Sequence, residues 1–227
     1  CLRNLSYERA IYYDKVDAKY ITIILSKGIN QMAPRNKYTR EEMVEAAVRV
    51  VREKGIDALT AKALASELGV STQPVFTCFH TIEEAKREVR TAAERVYDRY
   101  VEDGLRMKVP FLGVGMQYIH FAKEEPQLYR LLFLATSEDG SSSVMDALHH
   151  SQNLVRESLQ ETYHIDAQTA DRYYRDMWLV VHSLATLVVT GGCPYSEEEM
   201  GHILTGFSVS LCKSIKEIPG FVENKYD

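Results

Sequence analysis

Thr72, Gln73, Pro74, Thr77 and His80 are the residues whose types and spacing suit one specific chemistry. Hydroxyls and an amide grouped at the start of a short helix can hydrogen-bond the edges of bases, and sequence is read from base edges. Such side chains work only if the helix carrying them is held firmly from behind. The surrounding sequence, LTAKALASELGVSTQPVFTCF over residues 59–79, reads as two short helices joined by a tight turn. Leu59, Leu64, Ala65, Leu68 and Val70 form the apolar side of the first helix and the turn. Gly69 stands where the chain must reverse, and glycine takes positive φ without steric penalty. Ser71 fits an N-cap, its hydroxyl accepting from the free N–H groups of the second helix. Val75, Phe76 and Phe79 follow at helical spacing and are expected to point back at the first helix. A helix held on one side, with short polar groups near its start, is the geometry of a helix-turn-helix in a major groove. The same segment also fits an ordinary pair of core helices, because helix pairs with glycine in the turn are common.

The flanks favour the first reading. Residues 40–54, REEMVEAAVRVVREK, place Met43, Ala46, Ala47, Val50 and Val51 on one helical face. Thr39 with Glu42 makes a capping box, and Gly55 a C-terminal stop. After the pair, Thr81 with Glu84 begins a long helix reaching Arg106, whose inner stripe is predicted as Ala85, Val89, Ala92, Val96 and Tyr100.

The order is one helix, Gly55, a second helix led by Thr60, the GVS turn at residues 69–71, Phe76, Phe79, then Thr81 with Glu83 and Glu84. Over about residues 38–90 it resembles the tetracycline-repressor (TetR) family of transcription regulators. The resemblance implies a three-helix DNA-binding domain, a linker helix, a helical effector domain and a homodimer. It assigns Thr60 to a phosphate contact, Thr72, Gln73, Pro74 and Thr77 to the groove, and Phe76 and His80 to the vicinity of the DNA backbone. Two positions depart from the family pattern. Phe76 replaces a usual tyrosine and Ile82 a usual lysine, so two phosphate contacts are missing, and phosphate contacts supply much of the affinity. Arg35, Lys37, Arg40 and Lys62 are the basic residues that would compensate, although scattered charges also serve simply as a solvated surface.

The charge distribution fits this division. Residues 32–99 carry 12 basic and 11 acidic side chains, and residues 100–227 carry 10 and 18, within a chain of net charge −5. That balance argues against an indiscriminate nucleic-acid coat and for contact through one small face. A length of 227 residues with 45% hydrophobic content allows one or two domains with a proper core. No apolar run reaches the roughly 18 residues needed to cross a membrane. Cys1, Cys78, Cys193 and Cys212 show no metal or redox spacing, which points to a reduced, cytoplasmic protein. Residues 1–31 are aromatic-rich without the pattern of a secretory signal, and Met32 followed by APRNKYT reads as a natural start with a short basic arm. The expectation is that residues 1–31 arise from an upstream start or an added segment without function. The competing reading is a genuine N-terminal arm that touches DNA.

The second half reads as helix throughout. Residues 110–122 carry a stripe of Phe111, Val114, Gly115, Tyr118, Ile119 and Ala122. Pro126 suits the first turn of the next helix, PQLYRLLFL, which is followed by a loop at Gly140 and Ser141–Ser143 and a helix over 144–163. Residues 167–190 show two stripes, Met177, Val180, Val181, Leu184, Leu187 and Val188, and Trp178, His182, Ala185 and Val189. Gly191 and Gly192 end that helix, and Ser196 with Glu199 caps a last one bearing Met200, Ile203, Leu204, Phe207, Leu211 and Ile215. Two such helices per chain would build a four-helix interface between two copies. The run MWLVVHSLATLVVTGG resembles the Trp-His-Gly (WHG) effector domain of some TetR regulators, with Ser183 in place of the glycine.

The predicted class is therefore all-α: a helix-turn-helix domain over 32–84, a ligand-binding and dimerisation domain over 85–217, and a tail over 218–227. A ligand pocket is expected among Tyr118, Phe121, Phe133, Tyr174, Met177, Trp178 and His182, which would equally suit plain core. His182 reads as a buried histidine, and His149 and His150 diverge on their helix, so no metal and no cofactor are expected. No nucleophile–base pair or HExxH spacing supports an enzyme. The expected activity is that of a DNA-binding regulator, a repressor released from a near-palindromic operator by a small molecule. The alternative is a helical ligand-binding or enzymatic bundle with a vestigial DNA domain.

Overall fold

The computed structural model describes residues 38–135 and 143–225, and among these the regular structure is helical, without strands. The predicted extension 1–31, the arm with Arg35 and Lys37, and the segment 136–142 lie outside the described residues. Helix α1 spans Arg40–Lys54 and buries Met43, Ala46, Ala47, Val50 and Val51, with Val48 beside them. Acids in its first turn and bases in its last follow the helix dipole. Gly55, at φ 84°, and a 3-10 turn at Ile56–Ala58 carry the chain into α2, Ala61–Leu68. The Thr60 hydroxyl caps α2 by accepting from the Ala63 N–H at 3.1 Å. Gly69 ends it in the left-handed region at φ 64°, φ 64° being open to glycine without a Cβ clash.

Helix α3, Thr72–Cys78, and helix α4, Ile82–Leu105, follow. Three local expectations are corrected here. Ser71 occupies the N-cap position of α3 in an extended conformation, but its side chain makes no capping bond. Thr81 does cap α4, accepting from the Glu84 N–H, whereas the Glu84 carboxylate turns to the His80 N–H, so the reciprocal half of the box is missing. The buried stripe of α4 is Ala85, Val89, Ala93, Tyr97, Val101 and Gly104, not the predicted Ala92, Val96 and Tyr100, which are half-buried. The observed stripe advances by four at every step but the last. It is the inclined row that a helix presents to a partner crossing it at an angle.

That partner is α5, Pro110–Glu124, which crosses α4 where Gly104 faces Gly113. Helix α6, Pro126–Tyr129, runs into a π-helical turn at Arg130–Leu134. Helix α7 spans Ser143–Tyr163, so Ser143 belongs to the helix and not to the predicted loop. Helix α8 spans Ala167–Val189 and is capped by Asp166, which accepts from the Thr169 N–H at 2.8 Å. Helix α9 spans Glu197–Glu217 and carries the full Ser196–Glu199 capping box. The chain from Arg40 onward packs as one unit, and the expected boundary at 84/85 falls in the first turn of α4. The outer faces of α8 and α9 stay apolar and open: Leu179, Leu187 and Phe207 are all exposed, and only Met200 and Leu204 of the predicted α9 stripe are buried.

Candidate nucleic-acid interface and effector cavity

Helix α3 is anchored from one side. Val75 and Phe79 are each 1% exposed and face α2 and the core. Thr72, Gln73, Thr77 and His80 are exposed, and Pro74 is half-buried. Phe76, expected to point inward, is 53% exposed and stands on the outer face beside them. Burial of Val75 and Phe79 uses up the inner side of a seven-residue helix, so residue 76, one position on, must turn outward. The Thr77 hydroxyl donates to the Gln73 carbonyl at 3.0 Å. Thr60 and Lys62, in the first turn of α2, are exposed as well.

Arg40 plays a different part from the phosphate contact expected of it. Its Nη2 donates to Glu84 Oε1 and Glu88 Oε1, each at 2.7 Å, and its Nη1 donates to the Cys78 carbonyl at 2.8 Å. The guanidinium also lies 5.1 Å from the Phe79 ring centroid. Bonds from Arg40 and from the His80 N–H hold the Glu84 carboxyl down at about 2, so it stays ionised. Arg40 thus fastens the start of α1 to the end of α3 and to the first turns of α4. Lys37 lies outside the described residues. Cys78 is half-buried and burial pushes its thiol up, which suits packing and not redox chemistry.

A cavity of about 210 Å³ opens within the second half of the chain. Tyr97 of α4 forms part of its wall, with Phe111, Leu112, Val114, Gly115 and Tyr118 of α5. Helix α8 adds Tyr173, Tyr174, Met177, Trp178 and Val181. Tyr163, Val109 and four residues of α9, Leu204, Thr205, Ser208 and Val209, complete it. Four of the seven expected residues line this cavity: Tyr118, Tyr174, Met177 and Trp178. Phe121, Phe133 and His182 do not. Phe121 and Phe133 are buried behind the wall, 5.4 and 5.2 Å from the Tyr97 ring. Sequence reasoning missed Tyr97, whose place on α4 depended on the stripe that slipped. It also missed Tyr163, Tyr173 and, on α9, Thr205, Ser208 and Val209. Phe111, Val181 and Leu204 were already visible as members of apolar stripes.

His182 stands one turn beyond Trp178 and stacks on it at 4.6 Å with planes 10° apart. Its Nδ1 lies 3.0 Å from the Tyr118 hydroxyl and 3.1 Å from that of Tyr129, which also meets Thr186 at 3.2 Å. Burial lowers the imidazole below its ordinary value of 6.5. A group that resists protonation when folded but accepts it when unfolded destabilises the fold as pH falls below the unfolded value. The urea midpoint is therefore expected to drop between pH 7 and 5, and His182→Gln should drop less. Equal losses in urea titrations at the two pH values would remove His182 from this role.

The short α6 joins this network to the first helix. Arg52 forks onto Glu125, Nε to Oε2 at 2.9 Å and Nη2 to Oε1 at 2.7 Å, and the Gln127 side chain lies against Gly55. From the π turn, the Leu131 carbonyl accepts from Arg90 of α4 at 3.1 Å. Among the described residues no cluster of acids, cysteines and histidines is arranged to hold a metal, and no helix is long and apolar enough to cross a membrane.

Comparison with known proteins matches residues 111–205 to a family described as "Tetracyclin repressor-like, C-terminal domain". An uncharacterized HTH-type transcriptional regulator of Mycobacterium tuberculosis is 25% identical over 73% of this chain and 77% of its own. One of Bacillus subtilis is 21% identical over 79% and 92%. Among solved structures, a protein of unknown function from Rhodococcus sp. RHA1 aligns with TM-score 0.62 at 18% identity, over 81% of this chain and 98% of that one. A TetR family member from Streptomyces coelicolor A3 aligns with TM-score 0.56 at 20% identity, over 76% and 98%. The multidrug binding protein EbrR complexed with proflavin aligns with TM-score 0.53 at 21% identity, over 74% and 98%. The helix-turn-helix with its outward polar face, the long α4 and the helical second half agree with these comparisons: residues 111–205 match a tetracyclin repressor-like C-terminal domain, and the chain is similar to HTH-type transcriptional regulators over most of its length.

Proposed function

We propose that this protein is a repressor that binds a near-palindromic operator as a homodimer and leaves it when a small molecule enters the effector cavity. The observation that carries the reading is the asymmetry of α3: Val75 and Phe79 are locked inside while Thr72, Gln73, Phe76 and Thr77 face out. A helix so mounted fits a major groove, and two of them in a dimer meet successive grooves about 34 Å apart. The open apolar faces of α8 and α9 support self-association through those helices, since contiguous exposed apolar surface marks an interaction site. Gln73 and Thr77 are assigned to base edges, Thr72 and Pro74 to the groove wall, and Thr60, Lys62 and His80 to phosphates. Lys37 would add a phosphate contact from the preceding arm. The division of labour is a DNA-binding domain to residue 84, an effector and dimerisation domain over 85–217 and a tail beyond it. The protein acts in the cytoplasm, beside its DNA, and performs no catalysis.

A ligand releases the operator only through its different affinities for the two states. Tyr97 supports this route, because one side chain belongs both to the cavity wall and to the linker helix α4. The test is a gel shift with duplex DNA flanking the protein's own gene at low salt. A sharp shift by a dimer, resistant to competitor DNA, is expected. A folded dimer that retards no such fragment overturns the reading.

A further inference from the structure

We propose that the cavity selects an uncharged, mainly apolar molecule of one or two rings that carries a hydrogen-bond acceptor, and that it rejects ions of either sign. The inference rests on the reading of this cavity as the effector site. Seven of the lining side chains are aromatic, and none is an acid, a base or a histidine. An ion entering such a site sheds its water without meeting a counter-charge, which is costly. For an ammonium, the attraction of one or two ring faces falls short of that loss. A carboxylate gains nothing from those faces.

Size sets the second limit. An apolar cavity of about 150 Å³ holds benzene, so 210 Å³ admits a substituted ring or a fused pair.

The polar groups set the third. The Tyr173 and Ser208 hydroxyls satisfy each other at 2.7 Å. Two buried side-chain polar atoms among the described residues meet no partner, Tyr97 Oη and Trp178 Nε1, and both belong to residues of this wall. The Tyr97 hydroxyl lies toward those of Ser151 and Tyr174, which leaves the Trp178 N–H as the clearer open donor. Tyr97 is 2% exposed and Trp178 5%, so bulk solvent scarcely reaches either side chain. Indole N–H can only donate and a phenol can donate, so a carbonyl or ether oxygen on the occupant suits either group as an acceptor. Buried donors without partners are rare enough to call for such an explanation.

The test uses four probes of one shape: propylbenzene, 4-propylacetophenone, 4-propylbenzoate and 4-propylbenzylammonium. Trp178 is the single tryptophan of the chain, so its emission reports occupancy, with calorimetry as the second readout. The ketone is expected to bind about tenfold or more tightly than either ion, and several-fold more tightly than propylbenzene. In Trp178→Phe and Tyr97→Phe, followed by calorimetry, the advantage of the ketone over propylbenzene should shrink while propylbenzene still binds. Either ion binding as well as the ketone overturns the proposal, and so does an absence of binding by all four. An undiminished ketone advantage in both variants overturns the acceptor requirement. The regulator reading is separated by the gel shift without probe. Ketone binding that leaves a specific DNA complex intact upholds the cavity's preference and removes its role as the effector site.

Discussion

Gly104→Ala is expected to lower the stability of the protein by about 3 kcal/mol, the upper part of the usual range for overpacking. A Cβ at this position would sit 2.6 Å from both the Cα and the N of Val114 and 2.8 Å from the carbonyl carbon of Gly113. These are backbone atoms, so no side chain can swing aside. At Gly113 the added carbon would collide with the Gly104 oxygen, which shows the contact to be mutual. Alanine is a better helix former than glycine by roughly 1 kcal/mol, but that gain is smaller than the separation of two helices demands. The control is Gly201→Ala in α9, where an added Cβ meets nothing within 4 Å and stability should rise slightly. Urea unfolding of both variants checks the pair. A Gly104→Ala protein as stable as the parent would mean that α4 and α5 do not approach as described.

Gln73→Ala is expected to weaken binding to the specific operator by about 10- to 100-fold, the usual worth of one good base contact. Its stability should not change, since Gln73 is exposed and removing its side chain opens no cavity. Lys62→Ala should behave differently, weakening all duplexes to a similar degree and reducing the salt slope by about 1. Anisotropy titrations at several salt concentrations on specific and scrambled duplexes separate the two patterns. If Gln73→Ala binds both duplexes as the parent does, α3 is not the reading helix.

The helices were legible in the sequence because their caps and apolar periods agree. Thr60, Gly69, Pro110, Pro126 and the Ser196–Glu199 box all stand at the ends that the spacing predicts. What failed was the choice of face on α4. Ala92 and Ala93, or Val96 and Tyr97, are equally apolar neighbours, and only the crossing with α5 decides between them. That slip hid Tyr97 and with it part of the cavity. Phe121, Phe133 and His182 were placed in the pocket because aromatic residues look alike in sequence whether they form a wall or stand behind it. Arg40 looked like a phosphate contact because its partners lie 38 to 48 residues away, at Cys78, Glu84 and Glu88, and pairings at that separation leave no local pattern.

The Arg40 fastening has a mechanical result. Because one guanidinium grips the end of α3 and the first turns of α4, the two helices behave as the head and shaft of one lever with no lost motion at the joint. A shaft of 24 residues is about 36 Å long. A pivot of only about 5° at its Tyr97 half would swing the head sideways by roughly 2 to 3 Å, near the width of a hydrogen bond. Loosening the grip would let the shaft move while the head stayed behind, and the signal would fade before it reached the bases.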